Sequence, residues 1–326
     1  MATVTNEMLA RQLRERRERL EAARVETPDV PDLGRLLGEV DAALERLGNG
    51  TYGLCEVCHD PVEPERLAAD PLLRFCIDHL TEREQRELER DLRTAAAIQR
   101  GLLPPQELAI PGWELHFRWE PAGAVSGDWC DAVPTGDGGL FFMFGDVSGK
   151  GVAAAILMSH LHATFRALAA AGSPVAELVE RANRAFRDST PAPYFATLVC
   201  GRAAADGSVE ICNAGHCPPF VVSGGDVSAV DPTGLPVGTF YSNRYAARTL
   251  RLAPGDALVL YTDGLTEARD RTDREYGGER LAAALRRSGG KPPRELVSAC
   301  LDDLAAHLAG APRSDDLTVM AIRRAS

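Results

Sequence analysis

Two sets of residues in this sequence have types and spacings suited to chemistry. Cys55-Glu56-Val57-Cys58 is followed after 17 residues by Cys76-Ile77-Asp78-His79, a C-x2-C-x17-C-x2-H pattern that offers three thiolates and one imidazole. Two such knuckles suit a tetrahedral Zn²⁺, and four protein ligands close its shell, so this zinc is expected to be structural and not catalytic. His59 is a rival fourth ligand, but His79 holds the paired position. The second set is acidic: Ser126-Gly127-Asp128, Gly145-Asp146-Val147-Ser148-Gly149, Tyr261-Thr262-Asp263-Gly264 and Ser314-Asp315-Asp316-Leu317-Thr318. A turn at Thr135-Gly136-Asp137-Gly138-Gly139 relates the first two, because its centre at residue 137 makes cross-strand partners sum to 274, as Asp128 and Asp146 do. In a regular hairpin these carboxylates face each other with Cβ atoms about 5 Å apart. Anions that close share a proton or a cation, and several Asp without a paired Lys fit Mg²⁺ or Mn²⁺ held by oxygen. Taken singly, each Asp-Gly pair reads as turn punctuation.

Several elements must position these groups. Leu9, Leu13, Leu20 and Ala23 lie on one helical stripe over 7–26, and Leu33, Leu37, Val40, Leu44 and Leu47 on another over 32–48. The breaker Thr27-Pro28-Asp29-Val30-Pro31-Asp32 between them predicts an antiparallel helical hairpin. Thr81-Glu82-Arg83-Glu84 has the capping-box pattern, and Leu88, Leu92, Ala95, Gln99 and Leu102 follow at heptad-like spacing up to Pro104. This linker helix is expected to pack on its own domain or to form a homodimer. Strands are predicted at 113–119, 140–144, 194–201, 208–212, 219–222, 257–261 and 317–322, and helices at 152–171, 174–188, 279–286 and 293–308. Without regular βαβ alternation, the class is α+β with antiparallel sheets. The domains are expected at 1–50 (helical hairpin), 51–80 (zinc ribbon), 81–105 (linker helix) and 112–324 (main domain).

Composition bounds the partners. The 326 residues carry 36 basic and 47 acidic side chains, a net charge of -11 that disfavours direct nucleic-acid binding. The N-terminus lacks the apolar core of a secretory signal, and no window reads as a membrane span, so a cytoplasmic chain is expected. Eight cysteines are too dilute for a disulfide scaffold. None lies six positions before an Arg, as a cysteine phosphatase needs. Gly145 to Gly151 does not match a phosphate-binding P-loop, and no Gly-x-Ser-x-Gly elbow occurs.

Residues 40–80 resemble the DksA/TraR zinc-finger regulators, on Gly50-Thr51-Tyr52-Gly53-Leu54-Cys55, Pro61, Glu65-Arg66-Leu67, Pro71 and Cys76-Ile77-Asp78. That family usually has Cys where His79 stands. Its members act on RNA polymerase through a hairpin tip with D-x-x-D spacing, which Asp29 and Asp32 share. The hairpin here is short, and polymerase is not the expected partner. A non-catalytic regulator of polymerase is the alternative reading.

Residues 95–323 resemble the metal-dependent PP2C-type phosphatases of the SpoIIE/RsbU branch. The resemblance rests on Ala97-Ile98-Gln99-Arg100-Gly101-Leu102-Leu103-Pro104, on the four acidic motifs, and on Asn213-Ala214-Gly215-His216. It implies a β-sandwich of two antiparallel sheets flanked by helices, with two Mn²⁺ or Mg²⁺ ions at one edge. It further implies that Asp146 bridges the ions, that the Val147 carbonyl joins one, and that Asp128, Asp263 and Asp315 complete the shell. Asp131 and Asp316 would serve an outer ion. The implied reaction is two-metal hydrolysis of phosphoserine or phosphothreonine, on a phosphorylated STAS-domain anti-sigma-factor antagonist. Eukaryotic relatives carry a His two residues after the bridging Asp, where this chain has Ser148. His216, in a Gly- and Pro-rich segment, reads as structural.

Overall fold

The computed structural model describes residues 2–26, 31–170 and 172–325, and the chain divides into two compact units, 1–91 and 92–326. In the first unit, α1 (Ala2–Glu26) and α2 (Pro31–Asn49) form the expected antiparallel pair. Leu13 packs on Val40 and Ala43, and Arg17 Nε reaches Asp41 Oδ1 at 2.6 Å. The Asp29 expected at the hairpin tip lies outside the described residues, as does the side chain of Asp32. Tyr52 and Leu72 of the cysteine-bearing segment join this same core. A short helix α3 (Pro64–Ala69) and a 3₁₀ turn at Ile77–His79 complete that segment.

Helix α4 (Glu82–Leu102) carries the chain from one unit to the other. It opens on the predicted capping box: Glu84 N–H donates to Thr81 Oγ1 at 3.2 Å while Thr81 N–H donates to Glu84 Oε2 at 2.8 Å. The heptad stripe is divided in its use. Gln99 is buried and exchanges two hydrogen bonds with the Ser126 backbone, and Leu102 packs into the core of the second unit. Only Leu88, Leu92 and Ala95 are left for another helix.

The second unit has four layers. One sheet contains β1 (Glu107–Ile110), β2 (Trp113–Glu120), β7 (Phe220–Ser223), β8 (Asp226–Ala229), β10 (Ala257–Tyr261) and β11 (Leu317–Arg324), in the order β1-β2-β11-β10-β7-β8. The other contains β3 (Trp129–Pro134), β4 (Leu140–Val147), β5 (Ala196–Ala203), β6 (Ser208–Ala214) and β9 (Arg248–Arg251), in the order β3-β4-β5-β6-β9. All strand pairings are antiparallel. Strand β4 shows why the sequence folds this way. Its run Leu140-Phe141-Phe142-Met143-Phe144 is apolar on both faces, as a strand covered on both sides must be. Phe142 and Phe144 enter the core between the sheets with Leu258, Leu260 and Met320. Phe141 and Met143 face α5 (Gly151–Ala170) and α6 (Val175–Ser189). The opposite outer face is covered by α8 (Gly278–Arg287) and α9 (Pro293–Leu308), and α7 (Asp263–Thr266) follows β10.

Three differences from the sequence reading have physical causes. Strands β1, β8 and β9, four residues each and partly polar, are too short to show period-2 alternation. The strand expected from residue 194 begins at Ala196, although Phe195 O still accepts from the Ser148 N–H and Phe195 N–H donates to the Ser148 hydroxyl. Helix α5 is long and apolar enough by composition to cross a membrane, but Ala154, Met158, Leu161 and Phe165 are buried in the core, which accounts for much of its apolarity.

Candidate metal centres

The four acidic motifs meet at one end of the sandwich. Asp128 immediately precedes β3, Asp146 lies near the end of β4, Asp263 opens α7 directly after β10, and Asp315 and Asp316 directly precede β11. The β3–β4 register pairs Trp129 with Gly145 and Pro134 with Leu140, so every rung sums to 274 as the turn predicts, and Asp128 and Asp146 are the next rung. Alternation then fixes the direction of each side chain. Even-numbered residues of β3, β4, β10 and β11 point between the sheets, as Ala132, Phe144, Leu260 and Met320 do. Asp128 therefore faces the other sheet, where its Oδ2 accepts from Thr262 Oγ1 at 2.9 Å and Thr318 Oγ1 at 2.7 Å.

The electrostatics are those of anions gathered without a cation. Burial, then the charge of Asp146, pushes the Asp128 carboxyl well above the usual carboxylate range. Burial, followed by the charges of Asp263, Asp315 and Asp316, raises Asp146 to about 7. Asp263 is raised by burial and by Asp315. Asp128 and Asp146 face each other across the hairpin, and a cation between them would relieve their mutual repulsion. At the rim, Lys150 Nζ bonds Asp315 Oδ2 at 2.9 Å and Ser314 O at 2.8 Å. Gly127 lets the backbone press onto this cluster, since a Cβ there would sit 2.8 Å from Val147 O and 2.9 Å from Asp146 Oδ1. These donors, carboxylate oxygens plus the Val147 carbonyl, fit hard divalent cations.

Not every acidic candidate belongs to the cluster. Asp131 is three residues from Asp128, hence on the opposite face. It is fully buried against α5, where Arg166 Nη2 bonds its Oδ1 at 2.8 Å and His162 Nε2 lies 3.1 Å from Oδ2. Burial would raise its carboxyl, but these partners outweigh it and hold it low. The expected outer-ion role of Asp131 is thus corrected to an ion pair between sheet and helix. Asp316 accepts from the backbone N–H groups of Ala122 at 2.7 Å and Gly127 at 3.0 Å, which braces the loop beneath Asp128. The Ser148 hydroxyl accepts from Phe195 N–H at 3.0 Å.

His216 has a structural place. Its Nε2 lies 3.1 Å from the Tyr261 carbonyl, which can only accept, so that nitrogen carries the proton and Nδ1 accepts from Thr197 Oγ1 at 2.8 Å. Burial pushes the ring down to about 4, from an ordinary value of 6.5. The unfolded chain therefore takes up this proton first. The stability due to His216 is complete above about pH 6.5 and is lost as pH falls toward 4, by on the order of 3 kcal/mol at roughly 1.4 kcal/mol per unit. Thermal melting of His216→Gln across this window should show a shallower slope than the parent, and equal slopes would refute the assignment.

Thr262 and Thr318 escaped the sequence reading although both stand inside the quoted motifs, and their even-numbered phase with Asp128 was the available signal. Thr318→Val removes one donor that orients Asp128. Losing such a partner costs about 10-fold or more in metal affinity, an effect that Mn²⁺ titration calorimetry would detect.

The second centre is compact. Cys55, Cys58, Cys76 and His79 hold their ligand atoms within 4.8 Å of one another, and among the described residues this is the group that does so. The Cys58 and Cys76 sulfurs are 3.7 Å apart, and His79 Nδ1 is 3.3 Å from the Cys76 sulfur. A tetrahedron with Zn–S bonds of about 2.3 Å has edges of about 3.8 Å, so the spacing fits zinc. Burial opposes ionisation of Cys55, but the backbone amides of Cys58, Cys76 and Val57 prevail and bring its thiol down to about 6. His59 is exposed, in the left-handed backbone region at φ 61°, and stands outside the group.

Two family models match the chain. The model of the stage II sporulation protein E (SpoIIE) family matches residues 136–325, and that of the prokaryotic DksA/TraR C4-type zinc finger matches residues 50–85. The phosphoserine phosphatase RsbU of Bacillus subtilis is 29% identical over 191 residues, covering 57% of this chain and 56% of RsbU. The chain spans about half the length of the curated relatives it matches. The crystal structure of the RsbU and RsbW domains of Rv1364c from Mycobacterium tuberculosis is 31% identical with a TM-score of 0.57, covering 68% of this chain and 62% of that one. The catalytic domain of the serine/threonine phosphatase PstP, solved with two manganese ions, is 13% identical with a TM-score of 0.51 over 66% of this chain and 99% of that one, a likeness of fold alone.

Proposed function

Because the chain belongs to the SpoIIE family, whose model covers residues 136–325, we propose that it is a metal-dependent protein serine/threonine phosphatase with an N-terminal structural zinc finger. The observation that carries this reading is the convergence of Asp128, Asp146, Asp263 and Asp315 at one end of the sandwich, with Asp146 raised to about 7 by its buried, like-charged setting. A scaffold protein gains nothing from such repulsion, whereas divalent cations relieve it. Asp146 would bridge two ions, with the Val147 carbonyl on one and Asp128, Asp263 and Asp315 completing the shells.

Mn²⁺ or Mg²⁺, when bound, supplies Lewis acidity toward a phosphoryl oxygen and lowers the pKa of water at neutral pH. The chain's own residues do the positioning. Thr262 and Thr318 hold Asp128 by one oxygen and leave the other for coordination. Asp316 fixes the loop that carries Gly127 against Asp146. The Ser148 hydroxyl oxygen accepts from the Phe195 N–H, which gives it a part in positioning that loop.

The substrate proposed is a phosphorylated STAS-domain protein of a sigma-factor pathway, in the cytoplasm. The support is the likeness to RsbU. A homodimer through α4 would be confined to Leu88, Leu92 and Ala95, since Gln99 and Leu102 are engaged within the second unit. The polymerase-directed alternative rests on the match to the DksA/TraR zinc finger alone. The test is phosphate release from a phosphoserine protein by chelator-treated chain, which should be negligible and recover on addition of Mn²⁺ or Mg²⁺. Full activity without metal would refute the proposal.

A further inference from the structure

Four large apolar side chains stand exposed on two neighbouring segments at the edge of the five-stranded sheet. Phe195, Leu235, Phe240 and Tyr241 are 38%, 53%, 60% and 57% exposed. Continuing the β4–β5 register, in which Asp146 pairs with Thr197 and Val147 with Ala196, places Phe195 opposite Ser148. The Ser148 N–H donates to Phe195 O at 2.9 Å, so this rung is formed, two residues or about 7 Å along the strand from Asp146. Val237 and Ala196 exchange backbone bonds of 2.8 Å on the far side, and this brings the 233–245 loop against the same edge.

The loop is held rigidly while its apolar side chains face outward. Asn183 on α6 accepts from Gly238 N–H at 2.8 Å and donates to Phe240 O at 3.0 Å. Arg187 donates to Gly238 O at 3.0 Å, and Thr239 Oγ1 donates to Pro236 O at 2.7 Å. Exposed aromatic groups on a pre-organised backbone lose little entropy on binding and mark interaction sites.

We propose that Phe195 and the 233–245 loop form an apolar docking rim for the protein substrate, selecting phosphoserines flanked by apolar residues. The proposal rests on the phosphatase reading and names its substrate class more narrowly. The geometry selects this occupant because Phe195 stands two rungs along the strand edge from Asp146 and the 233–245 loop pairs with Ala196 beside it. A phosphoserine whose phosphate reaches Asp146 lays its neighbours, spaced about 3.3 Å apart in extended chain, across that edge. A small phosphate ester would not reach it.

The test uses full-length protein with saturating Mn²⁺ and two phosphoserine dodecapeptides that differ only at the two residues on each side of the phosphoserine, Leu and Phe in one, Ser and Gln in the other. The parent should favour the apolar peptide by about 10-fold in kcat/KM, equivalent to about 1.4 kcal/mol. Phe240→Ser/Tyr241→Ser, or Leu235→Ser as a milder second variant, should reduce that preference to about twofold or less. Equal rates on the two peptides in the parent, or an unchanged preference in both variants, would overturn the proposal. So would a variant that changes the mass in light scattering with its preference intact, which would assign the patch to a contact between copies. Hydrolysis of p-nitrophenyl phosphate by the parent separates the two readings. If it proceeds while the peptides are cleaved equally, only the docking rim fails; if it is absent with every divalent metal, both fall.

Discussion

Asp146→Asn is expected to lower phosphate release by about 10³-fold or more, while raising the melting temperature of the metal-free protein by about 5 °C at pH 8. The first effect follows from the place of Asp146 among Asp128, Asp263 and Asp315. A bridging anion lost between two cations removes several kcal/mol of transition-state stabilisation, and about 4 kcal/mol corresponds to three powers of ten. The second follows from its carboxyl, raised to about 7 by burial and then by the charges of Asp263, Asp315 and Asp316. The folded chain holds this proton more tightly than the unfolded one, whose ordinary value is 3.8. The stability tied to that proton is present below about pH 4 and is lost as pH rises through about 7. Asn has no proton to lose, so the variant should melt higher at pH 8 and lose that advantage near pH 4. A few kcal/mol shifts melting by several degrees in a domain of this size. Saturating Mn²⁺ should reverse the order, because only the parent gains the full linkage energy of metal binding. Melting curves at the two pH values, with chelator and with Mn²⁺, read all of this. A metal-free variant less stable than the parent at pH 8, or one that retains activity, would sink the bridging role.

Cys76→Ser should empty the second centre and unfold the segment around it. Apparent zinc-binding energies in small fingers are about 10 to 16 kcal/mol, comparable to the whole stability of a domain. The four-residue core of Cys55, Val62, Leu67 and Cys76 is too small to persist without the metal. Tyr52 and Leu72 also belong to the core of the helical pair, so α1 and α2 should loosen as well. The parent should contain one zinc per chain by elemental analysis and resist limited proteolysis between residues 50 and 80. The variant should contain almost none and be cut there. His79→Cys supplies a thiolate in place of the imidazole and should keep both the zinc and the resistance. Stoichiometric zinc in Cys76→Ser, or unchanged proteolysis, would refute the assignment.

How much of this could be read beforehand depended on whether the information was local. The β3–β4 hairpin was legible because one Gly-rich turn sets its register, and the register carries Asp128 to Asp146. The zinc ligands were legible because each knuckle is four residues long. Asp131 was misplaced because its motif neighbourhood outweighed simple alternation: three residues along a strand reverse the face, and Arg166 and His162, which claim it, lie more than thirty residues away on α5. Gln99 was read as a polar member of a heptad, and only the tertiary structure shows it exchanging bonds with Ser126. Strands β8 and β9 depend on edge pairing with β7 and β6, which no short polar run announces.

The two threonine bonds to Asp128 have a mechanical meaning. Thr262 follows β10 and Thr318 lies on β11, both of the six-stranded sheet, whereas Asp128 leads into β3 of the five-stranded one. One carboxylate oxygen therefore fastens the two sheets like a button, at the end where the reaction would take place. Sliding of either sheet stretches bonds of 2.7 and 2.9 Å and turns the oxygen left for the cation. The alignment of the two sheets is thus built into the coordination geometry, and a packing change deep in the sandwich, far from any acidic residue, would be felt there as a change in grip on the metal.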